Sequence, residues 1–230
     1  MAAVEPLLVL NTALSPNFTC VIRDGKTAGL QISSAETSFS IEGMDLMIKA
    51  MEEGDTPLSA ISGFIFVIGP GSFTGIRTGL SMLKGMAFGR PVNAAGVSAL
   101  RILASPFFGS GRAVCPVLDA RMNQIYAALF SGNGRRLQPD QAIEPALFAE
   151  RLEGNVLFAG ADARKFEQDL VTEKVSSSEF KPLTLEQIVN GTVQEGLEMF
   201  RMGEVVPVRE MTPLYLRKSY AEIKSDKTNA

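Results

Sequence analysis

The sequence of 230 residues contains no histidine. Histidine is the usual base of Ser-His-Asp and Cys-His catalysis and the commonest transition-metal ligand, so its absence argues against both kinds of site. Cysteine is also scarce. Cys20 and Cys115 lie far apart in the chain, and we expect two reduced, buried thiols rather than a catalytic one.

Excess positive charge is absent as well. The net charge is -3 and the isoelectric point is about 5.2, which disfavours autonomous binding to nucleic acid, so any contact with RNA should run through a partner. The first residues carry Glu5 and Pro6 before four apolar residues. This pattern resembles neither a signal peptide nor a membrane span. We therefore expect a cytoplasmic protein with no membrane partner.

The first half of the chain predicts alternating strands and helices. Strands are expected at residues 7–13, 18–23 and 28–33, a helix at 38–53, a strand at 64–68, a helix at 73–88 and a strand at 92–95. The helix at 38–53 has an apolar side formed by Ile41, Met44, Met47, Ile48 and Met51. A glycine-rich loop, Gly69 to Gly75, connects the fourth strand to the second long helix.

The second half repeats this order. Strands are predicted at residues 114–118, 125–130 and around Leu137, followed by helices at 145–152, 162–170 and 185–201 and a strand at 156–159. The pattern favours a duplicated α/β fold with mixed sheets, although chance similarity of two α/β halves stays an alternative. We expect an N-terminal subdomain at 1–104, a C-terminal subdomain at 105–212 and a tail at 213–230.

The glycine loop allows two interpretations. A strand, a glycine turn and a helix start present free N–H groups to an anion, with Gly69, Gly71, Ser72 and Thr74 as the candidate contacts. The spacing matches neither a Walker loop nor a dinucleotide fingerprint. In the alternative, the loop is a rigid elbow in which Ser72 or Thr74 caps the helix and Gly71 needs a conformation closed to side chains.

The helix at 73–88 has two apolar faces. One face should pack in the core: Ile76, Leu80, Leu83 and Ala87. The second face and the methionines of the preceding helix form the predicted partner interface: Met44, Met47, Met51, Gly75, Gly79, Met82 and Met86. Small residues permit close approach of another backbone, and methionine adapts to different surfaces. The alternative is that both faces are buried inside the monomer.

Three segments carry a resemblance to a known family. "GPGSFTGIRTGLSMLKGMA" resembles the signature of the bacterial TsaB (YeaZ) proteins, and "LDARMNQIY" and "PLYLRK" are similar to two further segments of that family. The chain departs from the family at Asn11-Thr12-Ala13, where Asp-Thr-Ser is usual, and at Ser38 to Ser40, where a histidine is often found.

The resemblance implies the duplicated fold of actin, sugar kinases and heat-shock chaperones, with two small subdomains. It implies a non-catalytic partner of the threonylcarbamoyltransferase TsaD, acting with the ATPase TsaE to form N6-threonylcarbamoyladenosine at position 37 of tRNA. Such proteins form a homodimer when alone, and tRNA is reached only through the complex. We expect no cofactor and no metal in the isolated chain, while ATP or ADP at the interface with TsaD stays open.

Two other functions stay open. An ATP-using enzyme of the actin and sugar-kinase class would need an acidic residue where Asn11 stands. A glycoprotease-like metallopeptidase would need a pair of metal-binding histidines, which the sequence lacks.

Overall fold

The structure is a computed structural model that describes residues 5–34 and 39–217. In chain order the strands are β1 (Leu7–Asn11), β2 (Phe18–Arg23), β3 (Lys26–Ile32), β4 (Gly63–Gly69), β5 (Asn93–Ser98), β6 (Ala113–Arg121), β7 (Gln124–Phe130), β8 (Arg136–Ile143), β9 (Asn155–Ala159), β10 (Ser177–Lys181) and β11 (Val206–Pro207). The helices are α1 (Phe39–Glu53), α2 (Phe73–Met86), α3 (Ala99–Ala104), α4 (Pro145–Ala149), α5 (Glu167–Leu170) and α6 (Leu185–Met202).

The strands form two mixed sheets that share a five-strand order, to which the first sheet adds β11. The first sheet runs β11-β5-β4-β1-β2-β3 and the second runs β10-β9-β6-β7-β8. In the first, β1 is antiparallel to β2 and parallel to β4, and in the second β6 stands in the same relation to β7 and β9. The predicted duplication is therefore confirmed, and the fold is the duplicated α/β fold with two mixed sheets that the sequence predicted.

The chain divides into two compact units. The first contains the described residues up to Ile102 together with Leu185–Leu214, and the second contains Leu103–Thr184 together with residues 215–217. This corrects the predicted C-terminal subdomain, because residues 185–212 pack with the first unit. Periodicity identifies the buried face of α6 but cannot tell which sheet that face covers.

The contacts of α6 explain this placement. Gly196 lies so close to β4 that an added Cβ atom would be 2.5 Å from Cγ2 of Ile65. Glu195 also forms a salt bridge of 2.5 Å with Arg101 of α3. The close contact at Gly196 and the salt bridge between Arg101 and Glu195 together hold α6 within the first unit.

The central strands explain where the core lies. Each of Leu7, Leu8, Val9 and Leu10 in β1 is fully buried, as expected for a strand that is covered on both faces. The second unit has its own core, in which Phe148 and Phe158 are fully buried. Within the described ranges, no helix is long and apolar enough to span a membrane.

Some elements differ from their prediction. The strands β10 and β11 and the helix α3 were not expected, and residues 162–170 form a 3-10 segment (Ala163–Phe166) followed by α5 instead of one helix. The sequence of β10, "SSEFK", is polar and half-exposed or exposed, so it lacks the apolar pattern that identifies a strand. Ser38 and residues 218–230 of the predicted tail at 213–230 lie outside the described residues.

Candidate partner-binding surface and glycine loop

The glycine loop connects β4 directly to α2. Ser72 caps the helix, since its hydroxyl accepts the N–H of Gly75 at 3.1 Å. The N–H of Ser72 itself donates to the carbonyl oxygen of Ala13 at 3.0 Å. The predicted cap is therefore confirmed for Ser72, and one of the N–H groups offered to an anion is already used inside the chain.

Two glycines of this loop are required by close contact with the segment that follows β1. A Cβ atom on Gly71 would lie 2.2 Å from the carbonyl oxygen of Ala13, and one on Gly75 would lie 2.1 Å from the carbonyl oxygen of Thr12. Real Cβ atoms do not approach backbone oxygen this closely. The prediction that Gly71 excludes a side chain is confirmed, and the contacts support the elbow interpretation.

Asn11 holds the turn that the glycines contact. The residue is fully buried. Its amide donates to the carbonyl oxygens of Leu14 at 2.9 Å and Pro16 at 3.1 Å, while its Oδ1 accepts the N–H groups of Ala13 at 3.2 Å and Leu14 at 3.0 Å. An ionised aspartate could accept but not donate. An asparagine at position 11 therefore makes two donated hydrogen bonds that an ionised aspartate could not make.

Thr12 lies beneath α2. It is fully buried, and its Oγ1 has no hydrogen-bond partner among the described residues. A Cβ atom on Gly79 would lie 2.5 Å from that oxygen. The prediction that Gly75 and Gly79 are small to let a partner backbone approach is therefore wrong, because both glycines make room for Thr12 of the same chain.

A polar cleft of about 340 Å³ opens beside the start of α2. Hydroxyl side chains line it, including those of Ser33, Ser72 and Thr74, and none of its described lining residues carries a charge. Glu42 lies next to it and accepts a hydrogen bond of 2.5 Å from the Ser33 hydroxyl. A carboxylate there disfavours an anion, so the predicted anion contacts stay a prediction, and Gly69 and Gly71 do not line the cleft.

Helix α1 has two apolar faces instead of one. Met47 is fully buried and Met51 is 8% exposed, so both pack in the core. Ile41 is 76% exposed, Met44 is 39% exposed and Ile48 is 42% exposed. These three residues, spaced 41, 44 and 48, share one side of the helix, and we call them the α1 row.

The structure therefore divides the seven predicted interface residues. Met47, Met51, Gly79 and Met86 are buried within the chain, Gly75 and Met82 are half-buried, and Met44 is exposed. The prediction was wrong for the four buried residues, because their side of each helix packs in the core of the chain. The predicted interface did not include Ile41 and Ile48. Both share the helical spacing of Met44 and lie on the side of α1 opposite to the buried Leu46 and Ala50.

The other two segments that carried the resemblance meet in the second unit. Arg217 donates from Nη1 to the carbonyl oxygen of Ala120 at 2.9 Å and more weakly to that of Arg121 at 3.4 Å. Arg121, Met122 and Asn123 all have positive φ, at 64°, 53° and 58°. Such a run is costly for residues with side chains, so Arg217 fastens a strained turn between β6 and β7.

Neither cysteine forms a reactive site. Both thiols are free and buried, as predicted. Burial raises the pKa of Cys20 to about 12, and burial also raises the pKa of Cys115 above its ordinary value. Within the described residues, no three acidic or cysteine side chains cluster as metal ligands would.

Comparison with known proteins identifies the family. A family model described as "TsaD: tRNA N6-adenosine threonylcarbamoyltransferase" matches residues 29–225. The chain belongs to this family. Within it, the chain is 25% identical to the Bacillus subtilis tRNA threonylcarbamoyladenosine biosynthesis protein TsaB over 95% of its own length and 96% of that protein. It is 28% identical to the Escherichia coli protein of the same name, over 94% and 96% respectively.

The solved structures agree. YeaZ from Pseudomonas aeruginosa superposes with a TM-score of 0.74 at 21% identity, covering 92% of this chain and all of that one. A second structure from that organism, described as similar to peptidase YEAZ, has a TM-score of 0.75 at 21% identity over 93% of this chain. The likeness to TsaB (YeaZ) proteins predicted from the three segments is confirmed, and these structures share the fold.

Proposed function

We propose that this chain is a non-catalytic partner of a TsaD protein in forming N6-threonylcarbamoyladenosine at position 37 of tRNA. Family membership and two TsaB-named relatives across nearly the whole chain support a place in that process. The lack of histidine, two buried thiols and an Asn11 amide committed to backbone oxygens support a non-catalytic role. The action would be in the cytoplasm, where tRNA is modified.

The observation that carries the proposal is the α1 row. Ile41, Met44 and Ile48 expose apolar side chains on one side of a helix that packs against α2. An exposed apolar row on a helix is a usual site of protein association. The proposed partner of this row is TsaD in the complex and a second copy of the chain when TsaD is absent.

The remaining partners follow from the same proposal. With a net charge of -3, the chain would meet tRNA only through the complex. TsaE would join the complex as its ATPase, and ATP or ADP would bind at the interface with TsaD instead of in the isolated chain. In the complex with TsaD, the nucleotide would contact this chain at the hydroxyl-lined cleft beside α2.

Co-purification with the TsaD and TsaE of the same organism, with and without ATP, tests this function. The unaltered chain should retain TsaD, and Ile48→Glu should lose it, because a charge would be desolvated in the complex. Leu137→Glu is the matched control, since Leu137 is 41% exposed on β8 of the other unit. Equal retention of TsaD by Ile48→Glu and Leu137→Glu, or no retention by the unaltered chain, would overturn the proposal.

A further inference from the structure

A second surface of the first unit lies at the opposite end of α2 from the glycine loop. A groove of about 660 Å³ opens there between the turn that follows α2 and the end of β11 with the short segment after it. Its walls include Lys84, Phe88 and Arg90 on one side and Pro207 and Arg209 on the other. A volume of this size is enough for a ligand or for a short peptide.

Phe88 stands at the rim of this groove and is 89% exposed. The turn that carries it is tightly hydrogen-bonded. The N–H of Phe88 donates to Gly85 at 3.1 Å, the N–H of Arg90 donates to Ala87 at 3.0 Å, and Gly89 has a φ of 74°. The aromatic ring is therefore presented by an ordered turn, which keeps the cost of immobilising it on binding low.

The charge of the groove is of one sign. Lys84, Arg90 and Arg209 line it, and none of its described lining residues is acidic. Within the part of the chain that the structure describes, the ion pair of Arg209 is with the neighbouring Glu210, at 3.4 Å, and both side chains of that pair are largely exposed, so the pair neutralises little. No described carboxylate forms a salt bridge with Lys84 or Arg90.

The guanidinium of Arg90 is held in place by the chain itself. Its Nη2 donates to the carbonyl oxygen of Ile61 at 2.5 Å, which anchors the guanidinium. Its Nη1 is buried and has no hydrogen-bond partner among the described residues. A guanidinium that is anchored in this way and lines the groove favours carboxylate oxygens as partners.

Pro207 decides how a partner could bind. It lies in β11, the edge strand of the first sheet, and has no N–H to offer to an added strand. A peptide cannot extend this sheet through Pro207, so recognition must use side chains. The negative net charge of the whole chain also disfavours nucleic acid as the occupant.

We propose that this groove binds an acidic linear segment of a partner protein, with carboxylates at Lys84 and Arg90 and an apolar side chain against Phe88. The complementarity is that of an interface whose charges set orientation and whose aromatic residue supplies contact area. No residue of the α1 row lines this groove.

Selection of a library of short random peptides on the full chain tests the proposal. We expect enrichment of sequences that place Asp or Glu beside Phe, Leu or Met. Binding of an enriched, fluorescently labelled peptide should weaken about tenfold in Lys84→Glu and in Phe88→Ala, measured by anisotropy. Lys26→Glu is the control, because Lys26 is exposed on β3 of the same unit, and it should change the affinity by less than about twofold.

Three results would overturn the proposal. These are no enrichment at all, enriched peptides that lack acidic residues, and acidic peptides that Lys84→Glu and Lys26→Glu bind equally well. A single-stranded RNA oligonucleotide that binds through Lys84 and Phe88 while no peptide is enriched would assign the groove to nucleic acid instead. Because the isolated chain is used, none of these results bears on the docking of TsaD.

Discussion

The Cα of Gly71 faces the carbonyl oxygen of Ala13 so closely that a Cβ atom would lie 2.2 Å from it. The obstacle is backbone, and it belongs to the turn that Asn11 holds in place. The loop before α2 is therefore wedged against the end of β1, and its glycines set the position of the helix start.

We expect Gly71→Val to lower the free energy of unfolding by about 1–3 kcal/mol, because the backbone must shift to accept a side chain. Denaturant unfolding measures this. Gly85→Ala is the control in α2, where nothing lies within 4 Å of an added Cβ atom, and it should stabilise by about 0.5–1 kcal/mol. Micromolar ATP binding to the isolated chain, lost in Gly71→Val at an unchanged melting temperature, would show that the loop is a phosphate site.

We expect Asn11→Asp to destabilise the chain by at least about 2 kcal/mol at neutral pH. The carboxylate would be buried against the carbonyl oxygens of Leu14 and Pro16 and would lose both donated bonds. Thermal unfolding at several pH values measures the effect. Asn190→Asp, at an exposed position of α6, should be nearly neutral.

The loss in Asn11→Asp should also depend on pH. Burial and facing carbonyl oxygens would raise the pKa of the new carboxyl in the folded state. A raised pKa means that the acid is tolerated while protonated, so the loss should be smallest near pH 4 and should grow as the pH rises. A loss that is constant between pH 4 and pH 8 would contradict this account.

We expect Met82→Glu to give a folded monomer that no longer associates with itself or with TsaD, whereas Leu83→Glu should damage folding. Met82 is half-buried, but Leu83 is fully buried in the core face of α2, and a charge there costs several kcal/mol, on the order of the whole stability. Sedimentation velocity and circular dichroism measure the two effects. A Met82→Glu chain that still dimerises, or that unfolds as readily as Leu83→Glu, would remove Met82 from the interface.

We expect Arg217→Gln to destabilise the second unit by about 1–2 kcal/mol, because Ala120 loses a charged hydrogen-bond donor at the positive-φ turn. Arg209→Gln is the control, since its pair with Glu210 is exposed. Hydrogen exchange of the amides of β6 and β7 should show the loss locally. Unchanged exchange in these strands would mean that Arg217 does not fasten the turn.

We expect neither cysteine to react with a thiol reagent at pH 8 while the chain is folded. Burial raises the pKa of Cys20 to about 12 and raises that of Cys115 as well, so the reactive thiolate is scarce and access is blocked. Both should react after denaturation, which makes reagent uptake a measure of unfolding. Rapid labelling of one cysteine in the native chain would show that its unit opens locally.

Strong local signals in the sequence determined much of this protein. The apolar run at Leu7–Leu10 marks a central strand because both of its faces are covered, and the serine before α2 marks a cap because its hydroxyl can accept a free N–H. The order of strands and helices was enough to predict a duplicated fold. The three family segments were enough to predict the family.

Only the tertiary structure decided which apolar surfaces remain exposed. Periodicity places Met47 and Ile48 on the same side of α1, yet the sheet covers Met47 fully and leaves Ile48 exposed, since the core reaches only part of that side. Likewise, the sequence predicts that the small Gly79 lets a partner approach α2 closely, but the space beside Gly79 is filled by Thr12 of the same chain. Helical spacing gives the direction of a side chain along its own helix, but burial depends on which distant residues pack against it, and those contacts form only when the whole chain folds.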